Sequence, residues 1–497
     1  MNPRLTLSVT VVMMVALACS PQASPQPTPG VPTSVPATAS PTLLPAQGDD
    51  IPMPSTEVAQ AADTPLPPPD DTQEGGGRRE KILCPDPQPP LVTDFEVRQT
   101  PDLPEPSPRV PFRDPVFGTC LVRVTDRTAD LPPDDPSPGL KNEYSRVQAF
   151  NADGSRVLVR SIEANWYLYD ADTLQPLGRL PLEEEPRWDT SNPDLLYYAD
   201  ETRLMAYDVR GGEQSLVHDF ATDFPGQSLA AVWMRYEGSP SLDSRYWGLL
   251  AQDQEWLTAA LLVYDRVEDR VIATRDMRDM SELEREIDSA TISPLGNYYL
   301  AYHDKYCEPG QLGDDAHPCG LMVYDRGLTN GRSLLRIIGH SDLALDAQGR
   351  EVLVYQDIDT DHISMLDLES GTVTPLWPID FSHTPIGLHF SGRVSHGDHL
   401  GWALVSTYSG GHPTDYTWMD DQVFAVELKP TGRVVRLAHT HSLVDENQDH
   451  DYWAEPHASV NPEFTRIVFT SNWGRSGTGE VEMFMLELPP DWTEQLR

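Results

Sequence analysis

The chain has 497 residues, with 77 acidic against 36 basic side chains and a net charge of −41. That excess excludes non-specific binding to nucleic acid or to anionic lipid, because both require a basic footprint. Hydrophobic residues make up 39%, enough for a sizeable core, while 47 prolines announce many loops, a disordered segment, or both.

Residues 1–19 read as a targeting segment. Arg4 supplies a positive start, Leu5 to Leu17 is a short apolar run, and Ala18-Cys19 ends it. The run is too short for a comfortable membrane span. A small residue before a lone cysteine resembles a lipoprotein signal, which implies lipidation of Cys19 and a membrane anchor. An ordinary cleaved secretory signal is the alternative, and both place the mature chain outside the cytoplasm.

Residues 20–83 carry 14 of the prolines, many Ser, Thr, Ala and Gln, and a charge of only −5. Such a segment cannot bury enough apolar surface to offset its ordering entropy, so it reads as a disordered tether. Nearly all of the acidity therefore belongs to residues 84–497. Four further cysteines remain: Cys84, Cys120, Cys307 and Cys319. In an oxidising compartment their spacing favours Cys84–Cys120 and Cys307–Cys319 disulfides, and no C-x2-C pair supports the competing zinc site.

From about residue 117 onward a period of roughly fifty residues recurs. Each copy has a short strand, a turn containing Asp, Asn, Gly or Pro, a β-rich run and an aromatic-Asp turn. Examples are Asn151-Ala152-Asp153-Gly154 ahead of Arg156-Val157-Leu158-Val159 and Tyr169-Asp170, and Ser293-Pro294-Leu295-Gly296 ahead of Tyr298-Tyr299-Leu300 and Tyr324-Asp325. Seven copies can be counted. They predict an all-β, seven-bladed β-propeller behind the signal and tether. Residues 275–287 show the one helical pattern. A propeller has to pair its first and last strands, so residues 117–125 are expected to form the outer strand of the seventh blade, beside Glu482 to Leu488.

The turn pattern resembles the repeats of TolB-type and WD40-like periplasmic propellers. Gly339-His340-Ser341-Asp342 and Glu455-Pro456-His457-Ala458-Ser459 resemble stretches of oligogalacturonate lyases, which are seven-bladed. That resemblance implies histidines holding a divalent metal over the central channel. Where the family reads His-x-His, this chain has Glu455-x-His457, and the family's glutamine ligand falls near Tyr452.

Inner-strand entrances of a propeller converge on its axis. This register brings together Ser145, Arg146, Gln148, Glu185, Arg187, Arg235, His340, Asp342, His389, Arg393, Glu455 and His457. His340, His389, Glu455 and His457 form a candidate site for a manganese- or zinc-class ion. Arg146, Arg187 and Arg235 are candidate clamps for a substrate carboxylate. Without a metal, the same residues are ordinary wet channel lining.

Two acidic clusters remain. Asp357-x-Asp359-x-Asp361 reads as a hairpin turn or, less well, as a calcium loop, since it lacks the glycine and the terminal glutamate of such loops. His439, His441 and the acids from Asp445 to Asp451 form a loop that is either solvated, a second metal site, or a lid. No nucleophile elbow, phosphate loop or dinucleotide fingerprint occurs. Two functions follow: a module binding a glycan, a small ligand or a protein through its channel face, or a metal-dependent lyase cleaving uronate-containing oligosaccharides.

Overall fold

The computed structural model describes residues 83–84, 90–381, 386–395, 399–409, 415–445, 447–448 and 450–496. The signal segment and almost all of the expected tether lie outside them. The described chain is nearly all β, in seven antiparallel sheets: six of four strands and one of five. These are the blades of a seven-bladed propeller. Their innermost strands are Leu140–Lys141, Glu184–Trp188, Leu229–Trp233, Ile287–Ile292, Ser341–Leu345, Ile386–Ser391 and Ser459–Val460.

The repeated Tyr-Asp has a local cause. The aspartate closes the turn between the third and fourth strands by accepting main-chain N–H groups. Asp170 accepts from Asp172 and Thr173, Asp208 from Arg210 and Gly211, and Asp265 from Val267 and Glu268. The tyrosine before it is buried between blades, as at Tyr169, Tyr207, Tyr264 and Tyr324. Much of the acid excess is thus structural, built into turns. At the other turn of the blade Asn151, Asp346 and Asn461 do the same work.

Closure follows the expected route. Cys120–Arg123 lies antiparallel to Glu482–Glu487, with Cys120 opposite Glu487 and Arg123 opposite Phe484. A short fifth strand, Phe112–Arg113, extends that blade beyond the sequence expectation. Cys84–Cys120 and Cys307–Cys319 are both disulfides. The first fastens the entering segment to the seam, where the Leu83 amide also donates to Glu487 Oε2 at 2.7 Å. The helical pattern at 275–287 dissolves into the end of an outer strand (Arg270–Asp276), a single turn (Glu282–Arg285) and an inner strand. The Ser281/Glu284 capping box accounts for that turn. No helix among the described residues is long and apolar enough to cross a membrane.

Inner strands run from an entrance face to an exit face. The longest connections between second and third strands, including the disulfide loop of blade 4 (304–320), open on the entrance face.

Candidate metal centre at the channel entrance

His340 stands immediately before the inner strand of blade 5, His389 lies within that of blade 6, and Glu455 and His457 precede that of blade 7. The propeller brings all four together. The His389 ring lies 4.4 Å from the His340 ring and 4.2 Å from the His457 ring, centroid to centroid. Glu455 Oε2 is 2.7 Å from His389 Nε2 and 3.4 Å from His457 Nε2. One donor atom from each of His389, Glu455 and His457 falls within 4.8 Å of the others.

The supports of this cluster are specific. Asn142 Nδ2 donates to the His457 carbonyl at 2.6 Å, and Asn142 itself is held by the Thr470 hydroxyl. His457 adopts a positive φ of 44°, a conformation that costs energy outside glycine and persists only where surroundings enforce it. Tyr408 stacks on His389, and the Tyr144 hydroxyl lies 3.2 Å from His340 Nδ1.

The nitrogens are the telling atoms. His389 Nδ1 and both ring nitrogens of His457 are buried without a hydrogen-bond partner among the described residues. Buried polar groups are usually satisfied, and an exception needs an explanation. Burial, with neighbouring positive charge, pushes His340 and His389 down to about 3 and His457 well below its ordinary value. All three are neutral imidazoles at neutral pH, with lone pairs available. Neutral imidazoles around one carboxylate are a donor set that suits a zinc- or manganese-class ion. The residues present therefore fit a divalent metal.

The candidate clamps are placed differently. Arg146 reaches mid-channel, where it pairs with Glu237 at 2.9 Å, donates to the Ser341 carbonyl and hydroxyl, and lies over the Tyr302 ring. Arg187 gives its three nitrogens to the carbonyls of Gly238 (2.8 Å), Pro186 (3.0 Å) and Tyr236 (2.6 Å). Arg235 donates to the Ile287 carbonyl, and Arg393 to those of Pro240 and Ile292. As placed, Arg187 and Arg235 bond main-chain carbonyls of the neighbouring blade. Arg187, Arg393, Gln148 and Ser239 line a pocket at the exit end, away from the histidines. Glu185 accepts from the amides of Met234 and Tyr236, Gln148 donates to the Val460 carbonyl, and Asp342 accepts from Gly392. Ser145 is buried.

Sequence reasoning missed two titratable neighbours. Lys141 is fully buried beside the cluster, its amine donating to the carbonyls of Asn142 (2.7 Å) and Glu143 (2.6 Å), and burial pushes it down to about 7. Burial pushes the Glu237 carboxyl up to about 7, against the pull of Arg146. One signal for Lys141 was available: it is one of only four lysines in the chain. Tyr452 is 38% exposed, with its ring 6.1 Å from that of His457.

Glu446 and Asp449 of the second acidic cluster lie outside the described residues, while Asp357, Asp359, His439, His441 and Asp451 serve turns and packing. Asp357 accepts from Thr360, and Asp359 pairs with Arg336, so that segment is a hairpin turn. His439 Nε2 donates to the Arg98 carbonyl, His441 stacks on Trp473 at 4.0 Å, and Asp451 accepts from the amides of Asp445 and Gly477.

No protein-family model and no curated protein matches the sequence. Among solved structures, an oligogalacturonate lyase in complex with manganese is similar at 16% identity and a TM-score of 0.51, over 84% of this chain and 100% of that one. The oligogalacturonate lyase of Vibrio parahaemolyticus is similar at 13% identity and a TM-score of 0.51, over 77% of this chain and 97% of its own. At such identity these likenesses speak for the propeller fold.

Proposed function

We propose that the protein is a divalent-metal-dependent polysaccharide lyase that acts on uronate-containing oligosaccharides at its channel entrance. The observation that carries this reading is the buried trio of His389, Glu455 and His457, with three ring nitrogens left without partners. His340, His389, Glu455 and His457 would hold the metal. When bound, the ion would set positive charge against a uronate carboxylate and make the adjacent C–H proton more acidic.

The remaining work falls to the chain. Elimination needs a base whose proton affinity lies near the working pH. Glu237, raised to about 7 and with 27% of its side-chain surface open, is the base this geometry offers. Arg146 holds that carboxylate in place, and the Tyr144 hydroxyl faces His340 beside it. Lys141, buried, contributes positive potential beside Glu455.

Elemental analysis of the purified chain should find about one divalent ion. Incubation with pectin-, alginate- or ulvan-derived oligosaccharides should raise the ultraviolet absorbance of unsaturated uronate. Glu237→Gln should abolish the absorbance and keep the metal. Metal-free protein without product on any of the three would refute the reading.

A binding module is the second reading, and the bracing of Arg187 and Arg235 favours it, since no clamp comes from them. It predicts retained metal and saccharide binding with no turnover. Both readings place the domain outside the cytoplasm, which two disulfides support. Anchoring through Cys19 and the tether belongs to the same proposal, and the mass of the mature N-terminal peptide tests it.

A further inference from the structure

The arginines so far described turn inward to carbonyls or carboxylates. Arg160 meets a carboxylate only at long range and only through Nε. It lies next to the end of the second strand of blade 1 (Arg156–Ser161), directly opposite Lys141 in the sheet register. Its guanidinium carbon lies 5.9 Å from the Trp166 ring centroid and 5.6 Å from that of Trp453, within reach of both rings. Nε faces Glu143 at 3.4 Å. The two terminal nitrogens make no hydrogen bond among the described residues, yet they are not among the buried atoms left without partners, so they reach solvent. Trp453 comes from the same short segment as Glu455, two residues before it, which links this arginine to the candidate metal centre. Its positive charge is felt by Lys141 and by the Tyr452 phenol.

Aromatic rings attract a guanidinium and leave its outer edge able to donate two parallel hydrogen bonds. That edge matches a carboxylate or a sulfate ester in bidentate fashion. We infer that Arg160, beside Trp166 and Trp453, is an anion-recognition subsite that binds one acidic group of an oligosaccharide beside the channel entrance. Glu143 faces Nε at ion-pair distance only, and the exposed Tyr452 offers a neighbouring face for a sugar ring. This inference rests on the saccharide reading above, though not on turnover.

The test uses the full chain loaded with manganese and titrated calorimetrically with three probes: trigalacturonate, its full methyl ester, and a sulfated galactose trisaccharide. The unmodified protein should bind one of the anionic probes at least ~10-fold more tightly than the neutral ester. Arg160→Gln should cut that ratio at least about 5-fold, leaving only the preference the metal itself supplies, and leave binding of the ester unchanged. Arg160→Lys, which keeps the charge but loses the fork, should recover only part of the ratio. Whichever anion shows the Arg160-dependent ratio is the group recognised. An unchanged ratio in Arg160→Gln, with a normal melting temperature, overturns the subsite, as does failure of the unmodified protein to bind any probe. Turnover with an unchanged ratio removes the subsite and leaves the lyase. An Arg160-dependent ratio without turnover removes the lyase and leaves the subsite.

Discussion

The two ends of the central channel solve the same problem in opposite ways. Both are lined by inner strands, whose free edges present main-chain groups that no further strand can pair. At the exit end, arginine answers the unpaired carbonyls: Arg187 bonds three, and Arg393 reaches across to those of blades 3 and 4. With five donors and no acceptor, arginine is well suited to that task. At the entrance end, neutral imidazoles carry lone pairs that nothing in the protein fills. Buried charge with most of its partners supplied, Arg393 Nε excepted, reads as bracing, and a group of adjacent buried ring nitrogens without them reads as a place for something to bind.

If the exit end is bracing, cutting it should cost stability and nothing else. Arg187→Ala leaves the carbonyls of Gly238 and Tyr236 without donors and removes the positive neighbour of buried Glu185. We expect a loss of about 3–5 kcal/mol in urea unfolding, the range for breaking a buried charged network. Manganese affinity should not change. A large fall in metal affinity would dissolve the distinction between the two ends.

The reverse should hold at the entrance. His457→Ala deletes two unpaired buried nitrogens, so the metal-free protein should lose little stability despite the cavity. Its manganese affinity should fall about 100-fold or more, measured by competition with a chelating dye. Metal at about 100 times the dissociation constant of the unmodified protein should stabilise that protein by about 2.7 kcal/mol and this variant by about 0.4 kcal/mol or less.

The pattern of what the sequence disclosed follows the same physics. Seven copies, the closing strand and both disulfides were legible because turn chemistry and cysteine spacing are local. The histidine cluster was legible because propeller register sends every inner-strand entrance to one axis, whatever the loops between. The bonding partners of the arginines were not legible because a long side chain can turn along the channel toward either end, and only the surrounding carbonyls decide which. Glu237 was missed because Arg235 and Tyr236, both at positive φ, interrupt the strand and shift its phase. Lys141 lies in a two-residue strand too short to show alternation. Arg160 sits on a second strand, outside the set of entrance positions altogether.

Acid should sharpen the contrast further. His340 and His389 have folded values near 3, below the ordinary 6.5 of an unfolded chain. Below pH 6.5 the unfolded state takes up protons that the folded state refuses, so stability should fall as pH drops from about 6.5 toward 3. Each such group contributes at most about 1.4 kcal/mol per pH unit. Because the imidazoles stay neutral, manganese should still raise the melting temperature at pH 5 nearly as much as at pH 7. Loss of the metal effect between those values would mean that the histidines titrate normally and that the entrance is wetter than its burial implies.

The smallest effect separates holding a metal from orienting a ligand. Tyr144 touches the cluster through its hydroxyl, 3.2 Å from His340 Nδ1, while its ring packs 4.8 Å from that of His457. Tyr144→Phe keeps the packing and removes only the hydroxyl. A hydrogen bond of this kind contributes about 0.5–1.5 kcal/mol, and groups that orient a ligand residue commonly alter metal affinity about 10-fold. The melting temperature of the metal-free protein should therefore move little, while manganese affinity should fall no more than about 10-fold, through His340 alone. If the affinity is unchanged while His340→Ala also has no effect, His340 is a bystander and the centre reduces to His389, Glu455 and His457. If both variants weaken binding, and the double variant is no weaker than His340→Ala, the hydroxyl acts through that imidazole, and the entrance is organised around four donors.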